Sequence, residues 1–119
     1  MREQGLEALD LAHRAVGIAS DKQALDILLL DVRGVVSFAD YFVLCSGESS
    51  RQIKAICDEI THSLKKEGIT PRRREGTVDS GWMLLDYGDV IIHIFAPDER
   101  QYYQLDELWS EAKPVVRIQ

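Results

Sequence analysis

The chain has 119 residues and a mass of 13.5 kDa, enough to bury one hydrophobic core and too little for two, so a single domain over residues 1–119 is expected. With 45% apolar and 29% charged residues the composition excludes wholesale disorder, and no apolar run approaches the roughly 20 residues that cross a bilayer. The formal net charge is −6, and Arg2, Glu3, Glu7 and Asp10 interrupt the N-terminus where a signal peptide would be apolar, so a cytoplasmic protein without membrane contact is expected.

A first helix is predicted over residues 4–19, with Leu6, Leu9, His13 and Val16 recurring at three and four residues along one face. Residues 24–32 contain Ile27, Leu28, Leu29 and Leu30 in unbroken succession, the pattern of a strand covered on both faces. After a turn near Arg33 and Gly34, Tyr41 to Ser46 read as a second central strand. Ser49-x-x-Gln52 matches a capping box and opens a helix over 49–67 whose stripe is Ile53, Ile56, Cys57, Ile60 and Leu64. Gly68 ends it. Residues 69–73 are expected as a short edge strand, because Pro71 lacks the amide that a central position needs.

Residues 81–95 read as a hairpin turning at Gly88 and Asp89. In that register Tyr87, Leu85 and Met83 stand opposite Val90, Ile92 and Ile94, a core face. The other face sets Trp82 opposite Phe95, Leu84 opposite His93 and Asp86 opposite Ile91. Such a mixture of aromatic, imidazole and carboxylate groups suits recognition of a partner better than a closed core. A last helix is expected from Pro97-Asp98, with Tyr102, Leu105 and Trp109 facing inward and Pro114 ending it. Val115 to Ile118 are left as a short tail that packs or frays. The order of elements indicates a mixed sheet, with helix 49–67 crossing over between parallel neighbours.

Enzyme motifs are absent: there is no phosphate-binding G-x-x-x-x-G-K-[ST], no G-x-G-x-x-G, no G-x-S-x-G and no H-E-x-x-H. Cys45 and Cys57 lack metal or redox spacing, and His13, His62 and His93 are scattered, so no metal and no cofactor are expected. Ser46-Gly47 before a capped helix is a potential anion site, but a tight turn is the favoured reading because no lysine or magnesium-binding pair stands nearby. For His93, core packing ranks first, partner contact second and catalysis last.

From Gly76 to Gln119 there are eight acids against three bases, which repels a phosphate backbone and favours a basic protein partner. The basic cluster of Lys65, Lys66, Arg72, Arg73 and Arg74 allows at most peripheral contact with nucleic acid. Trp82, Tyr87, Arg100, Tyr102 and Tyr103 are of the residue types that dominate interface energies.

Taken in order, Ala39-Asp40-Tyr41-Phe42-Val43, Ser46-Gly47, Arg51-Gln52-Ile53-Lys54-Ala55, Glu75-Gly76, Trp82, Leu85-Asp86-Tyr87-Gly88-Asp89-Val90, His93-Ile94-Phe95 and Tyr102-Tyr103-x-Leu105-x-x-Leu108-Trp109 resemble the Iojap-like ribosomal silencing factor family over almost the whole chain. The resemblance implies a nucleotidyltransferase-like α/β fold of mixed α+β type, with a C-terminal antiparallel hairpin and flanking helices, that has lost the strand carboxylates of an active transferase. It implies a non-enzymatic factor, commonly a homodimer when free. Such a factor docks on protein fourteen of the large ribosomal subunit, blocks joining of the small subunit and represses translation when nutrients are short. The residues carried over as partner-facing are Trp82, Asp86, Tyr87, Asp89, His93, Arg100, Tyr102 and Tyr103. A large-subunit assembly factor using the same face, and a vestigial nucleotide-binding protein, are the alternatives.

Overall fold

The computed structural model describes residues 7–97 and 111–118. Helix α1 (Ala8–Asp21) is followed by strands β1 (Leu25–Asp31) and β2 (Tyr41–Ser46), helix α2 (Ser50–Lys65), and strands β3 (Arg73–Thr77), β4 (Trp82–Asp86), β5 (Val90–Phe95) and β6 (Lys113–Ile118). The strands form one six-stranded sheet in the order β3-β4-β5-β2-β1-β6. Among these described strands β2 and β5 run parallel, and the four other pairings are antiparallel.

Strand alternation divides the core in two. On one face α1 contributes Leu11, Ala12, Ala15, Val16 and Ala19, and α2 contributes Ile53, Ile56, Cys57, Ile60 and Leu64. They pack over Ile27, Leu29, Val43, Cys45, Ile92 and Ile94. The opposite face gathers Leu28, Leu30, Phe42, Leu44, Ile91 and Phe95, with no residue from α1 or α2. The three central strands are therefore apolar at nearly every position, because each side chain meets a packed layer whichever way it points.

Helix α1 is rotated from the predicted stripe: His13 is exposed and Leu9 half-buried, while Ala12, Ala15 and Ala19 are fully covered. Alanine is a weak hydrophobic signal, yet its small side chain lets the helix lie close to the sheet. Helix α2 matches its predicted stripe throughout. The Ser49 hydroxyl accepts from the Gln52 amide at 3.1 Å, the expected half of the capping box. The Gln52 side-chain oxygen Oε1 reaches one residue further out than expected, accepting from the Glu48 amide at 2.7 Å. Its amide group also donates to the Gln23 carbonyl at 2.8 Å, tying the start of α2 to the α1–β1 turn. Beyond α2, the Ile69 amide donates to Leu64 and Gly68 takes φ +81°, which closes the last turn.

Two edge elements differ from expectation. The edge strand lies at Arg73–Thr77 instead of 69–73, and all five of its residues are exposed. Without an apolar alternation the segment has no periodic signature, and its position is set by pairing with β4, Arg73 opposite Asp86 and Thr77 opposite Trp82. The tail after Ala112 is a strand, β6, antiparallel to β1 at the opposite edge. Pro114 is tolerated there because an edge strand needs only one of its two rows of hydrogen bonds. The predicted last helix, with Arg100, Tyr102, Tyr103, Leu105 and Trp109, lies outside the described residues.

Candidate partner-binding face

The β4–β5 hairpin has the expected register: Trp82 faces Phe95, Leu84 faces His93 and Asp86 faces Ile91. The Tyr87 amide donates to the Val90 carbonyl at 2.9 Å and closes the turn, in which Gly88 adopts φ +90°. The Gly88 amide donates to Asp86 Oδ1 at 2.8 Å, and Asp86 Oδ2 lies 3.5 Å from Arg73 Nε, so this buried carboxylate holds the turn to the neighbouring strand. The Asp89 carbonyl in turn accepts from the amides of Asp40 and Tyr41, at 2.7 and 3.0 Å, and fixes the hairpin tip against the start of β2.

On the face opposite α1 and α2 the aromatic side chains stack as one cluster. The rings of Trp82 and Phe95 are 5.4 Å apart, those of His93 and Phe95 5.9 Å and nearly parallel, and Phe42 meets His93 edge-on at 5.0 Å. Trp82 Nε1 donates to His93 Nδ1 at 3.3 Å. Since an indole nitrogen only donates, Nδ1 must be the acceptor and the proton of the neutral ring sits on Nε2. That Nε2 is buried without a hydrogen-bond partner among the described residues. Burial of the ring, 6% exposed, pushes its pKa down to about 4, so it is neutral near pH 7. His93 therefore backs Trp82 and has little access to solvent. Trp82 and Leu84 are half-buried, and with Glu75, Gly76 and Ser80 they line a hollow of about 190 Å³.

The residues expected to meet a partner are thus distributed unevenly. Trp82 and His93 come together on the face opposite α1 and α2, with Asp86 and Asp89 at the hairpin tip. Tyr87 packs on the other side, against the helix-covered core. Its hydroxyl is buried without a hydrogen-bond partner among the described residues, and burial raises its pKa to about 12. Phe38 was not anticipated: it is 60% exposed and leans on Phe42, with ring centres 6.1 Å apart. It stands in the irregular segment between β1 and β2, where no periodicity marks a residue as inward or outward.

The Ser46-Gly47 turn uses its amides internally. Gly47 donates to the Phe95 carbonyl at 2.9 Å, Glu48 to Gln52 Oε1 and Gln52 to Ser49 Oγ, so an incoming anion would have to displace these bonds. Among the described residues, no three of His, Cys, Asp or Glu are gathered as metal ligands would be. Arg73 and Arg74 sit beside carboxylates, Arg73 with Glu75 at 2.9 Å and Arg74 with Asp58 at 3.5 Å, which offsets much of the basic cluster.

Among the described residues these features define an α/β domain with one mixed six-stranded sheet, helices α1 and α2 on one face and an aromatic cluster on the other. The sequence pattern of the family described as "Ribosomal silencing factor during starvation" matches residues 6–119, and the chain belongs to that family. It is 44% identical to a ribosomal silencing factor from Bacillus subtilis over 82% of this chain and 83% of that one. A crystal structure of a protein from Chromobacterium violaceum superposes with a TM-score of 0.84 at 30% identity, covering 88% of each chain. The chain is also 30% identical to the mouse protein named "Mitochondrial assembly of ribosomal large subunit protein 1", over 80% of this chain and 43% of that one.

Proposed function

We propose that this chain docks on protein fourteen of the large ribosomal subunit, excludes the small subunit from joining, and so represses translation when nutrients are limiting. The observation that carries this reading is the family match over residues 6–119. The resemblance supplies the partner. Trp82, half-buried at the margin of the aromatic cluster, would be the anchor, with Asp86 and Asp89 at the hairpin tip, His93 behind the indole and Tyr87 supporting the turn from the helix side. Arg100, Tyr102 and Tyr103 keep the partner-facing role that the resemblance implies.

Such a factor needs no turnover. If the docked domain fills volume that the small subunit must enter, the two binding events exclude each other. Its net charge of −6 would draw it to a basic ribosomal protein and limit capture by the surrounding RNA. The reading carries with it a cytoplasmic location, no catalytic step and a homodimer in the free state.

The test is co-sedimentation with purified large subunits, followed by gradient analysis of subunit joining. Wild-type protein should pellet with large subunits and reduce joined ribosomes, and Trp82→Ala should weaken binding by about 2 kcal/mol, roughly 30-fold. Unchanged joining at saturating protein would overturn the reading. A second role, in large-subunit assembly, is favoured by the name of the mouse relative. Immature large-subunit particles after deletion of the gene would support it.

A further inference from the structure

The hollow beside Trp82 has features that docking by a flat aromatic surface does not require. Its volume of about 190 Å³ leaves room for the stem and head of one long side chain. Among the described residues the lining is asymmetric: Trp82 and Leu84 are its apolar members and Glu75 its charged one. Gly76 sits at φ +85°, and a Cβ there would approach the Trp82 carbonyl oxygen to 2.0 Å, so β3 can pass this close to Trp82 only as glycine. Ser80 shapes the far side, its hydroxyl donating to the Thr77 carbonyl at 2.7 Å and accepting from the Thr77 amide at 3.3 Å.

Resting on the docking reading above, we propose that this hollow is a socket for a basic side chain of the ribosomal protein partner, with Glu75 as its charge-reading residue and Trp82 as its wall. An arginine fits best: its stem and planar head stack on an indole while the guanidinium forks onto a carboxylate. In the free protein Glu75 is engaged by Arg73 at 2.9 Å, with half or more of each side chain exposed. Pairs so exposed contribute little, so a cation from outside can replace Arg73, which retains Asp86 at 3.5 Å. Arg73 thereby acts as an internal competitor for the socket.

That competition yields opposite signs for two neutralising substitutions, which a merely structural ion pair would not. Binding to purified large subunits should weaken about tenfold in Glu75→Gln and lose part of its salt dependence, since a charged hydrogen bond is removed. Arg73→Gln, which frees the carboxylate, should bind as tightly as wild type or more tightly. Equal losses in both variants, or no loss in Glu75→Gln, would overturn the socket. Trp82→Ala is the reference: if it weakens binding while Glu75→Gln does not, only the socket is wrong, whereas full binding by folded Trp82→Ala removes the docking face itself. Thermal unfolding of each variant confirms that a native fold is being compared.

Discussion

His93 couples the stability of the aromatic cluster to pH in a direction that can be worked out. Its folded pKa lies near 4, against a reference value of 6.5, because burial disfavours the charged ring. The unfolded chain therefore binds the proton more readily between these values, and stability falls as pH drops through that interval. The contribution is fully present above pH 6.5, diminishes from there, and is constant again below pH 4. Linkage gives a loss of about 2 kcal/mol at pH 5 relative to pH 7.5, approaching about 3 kcal/mol at the acid end. Geometry agrees with the sign, since a proton added at Nδ1 would confront the indole N–H of Trp82 at 3.3 Å. Asp31 and Asp58 are held below the ordinary carboxylate range by Arg33 and Lys54, so their contributions are lost at more acidic pH than this window. Urea unfolding of wild type and His93→Phe from pH 7.5 to 4.5 measures the effect. The variant loses an acceptor for Trp82, a pH-independent offset, while its stability curve should be flatter by about 2.5 kcal/mol across the interval. Parallel curves, or an NMR titration showing the folded ring protonating near 6.5, would refute the reasoning.

Gly76→Ala should destabilise by about 2 kcal/mol or more, because the left-handed backbone already costs about 1–2 kcal/mol for an L-residue and the new Cβ meets the Trp82 carbonyl. A melting temperature within a degree of wild type would show that β3 moves aside without cost. Tyr87→Phe should leave stability unchanged or raise it by about 1 kcal/mol, since the phenol oxygen is buried without a hydrogen-bond partner. A clear loss in a urea titration would reveal a partner for that hydroxyl.

Helix α2 and the hairpin were legible because their signals are local. The Ser49 cap, the stripe from Ile53 to Leu64 and the Gly88-Asp89 turn are each decided by residues within a few positions of one another. The edge strands were not. Arg73 to Thr77 carry no apolar alternation, and Lys113 to Ile118 include Pro114; each becomes a strand only because β4 or β1 presents a row of free backbone groups. Helix α1 was found but rotated, since its contact face is built from Ala12, Ala15 and Ala19, which helical periodicity weighs lightly.

At the candidate site, the sequence by itself determined which side chains share a face. Alternation at every second residue is a property of the extended backbone, and it joined Trp82, Leu84, His93 and Phe95 before any packing was known. Tertiary structure decided what that face is like: α1 and α2 both lie on the other side, His93 is sealed beneath Trp82, Phe38 projects beside them, and Glu75 closes the hollow from a neighbouring strand. Burial and charge pairing depend on elements brought together from distant parts of the chain, and no local period encodes which of two amphipathic faces those elements will cover.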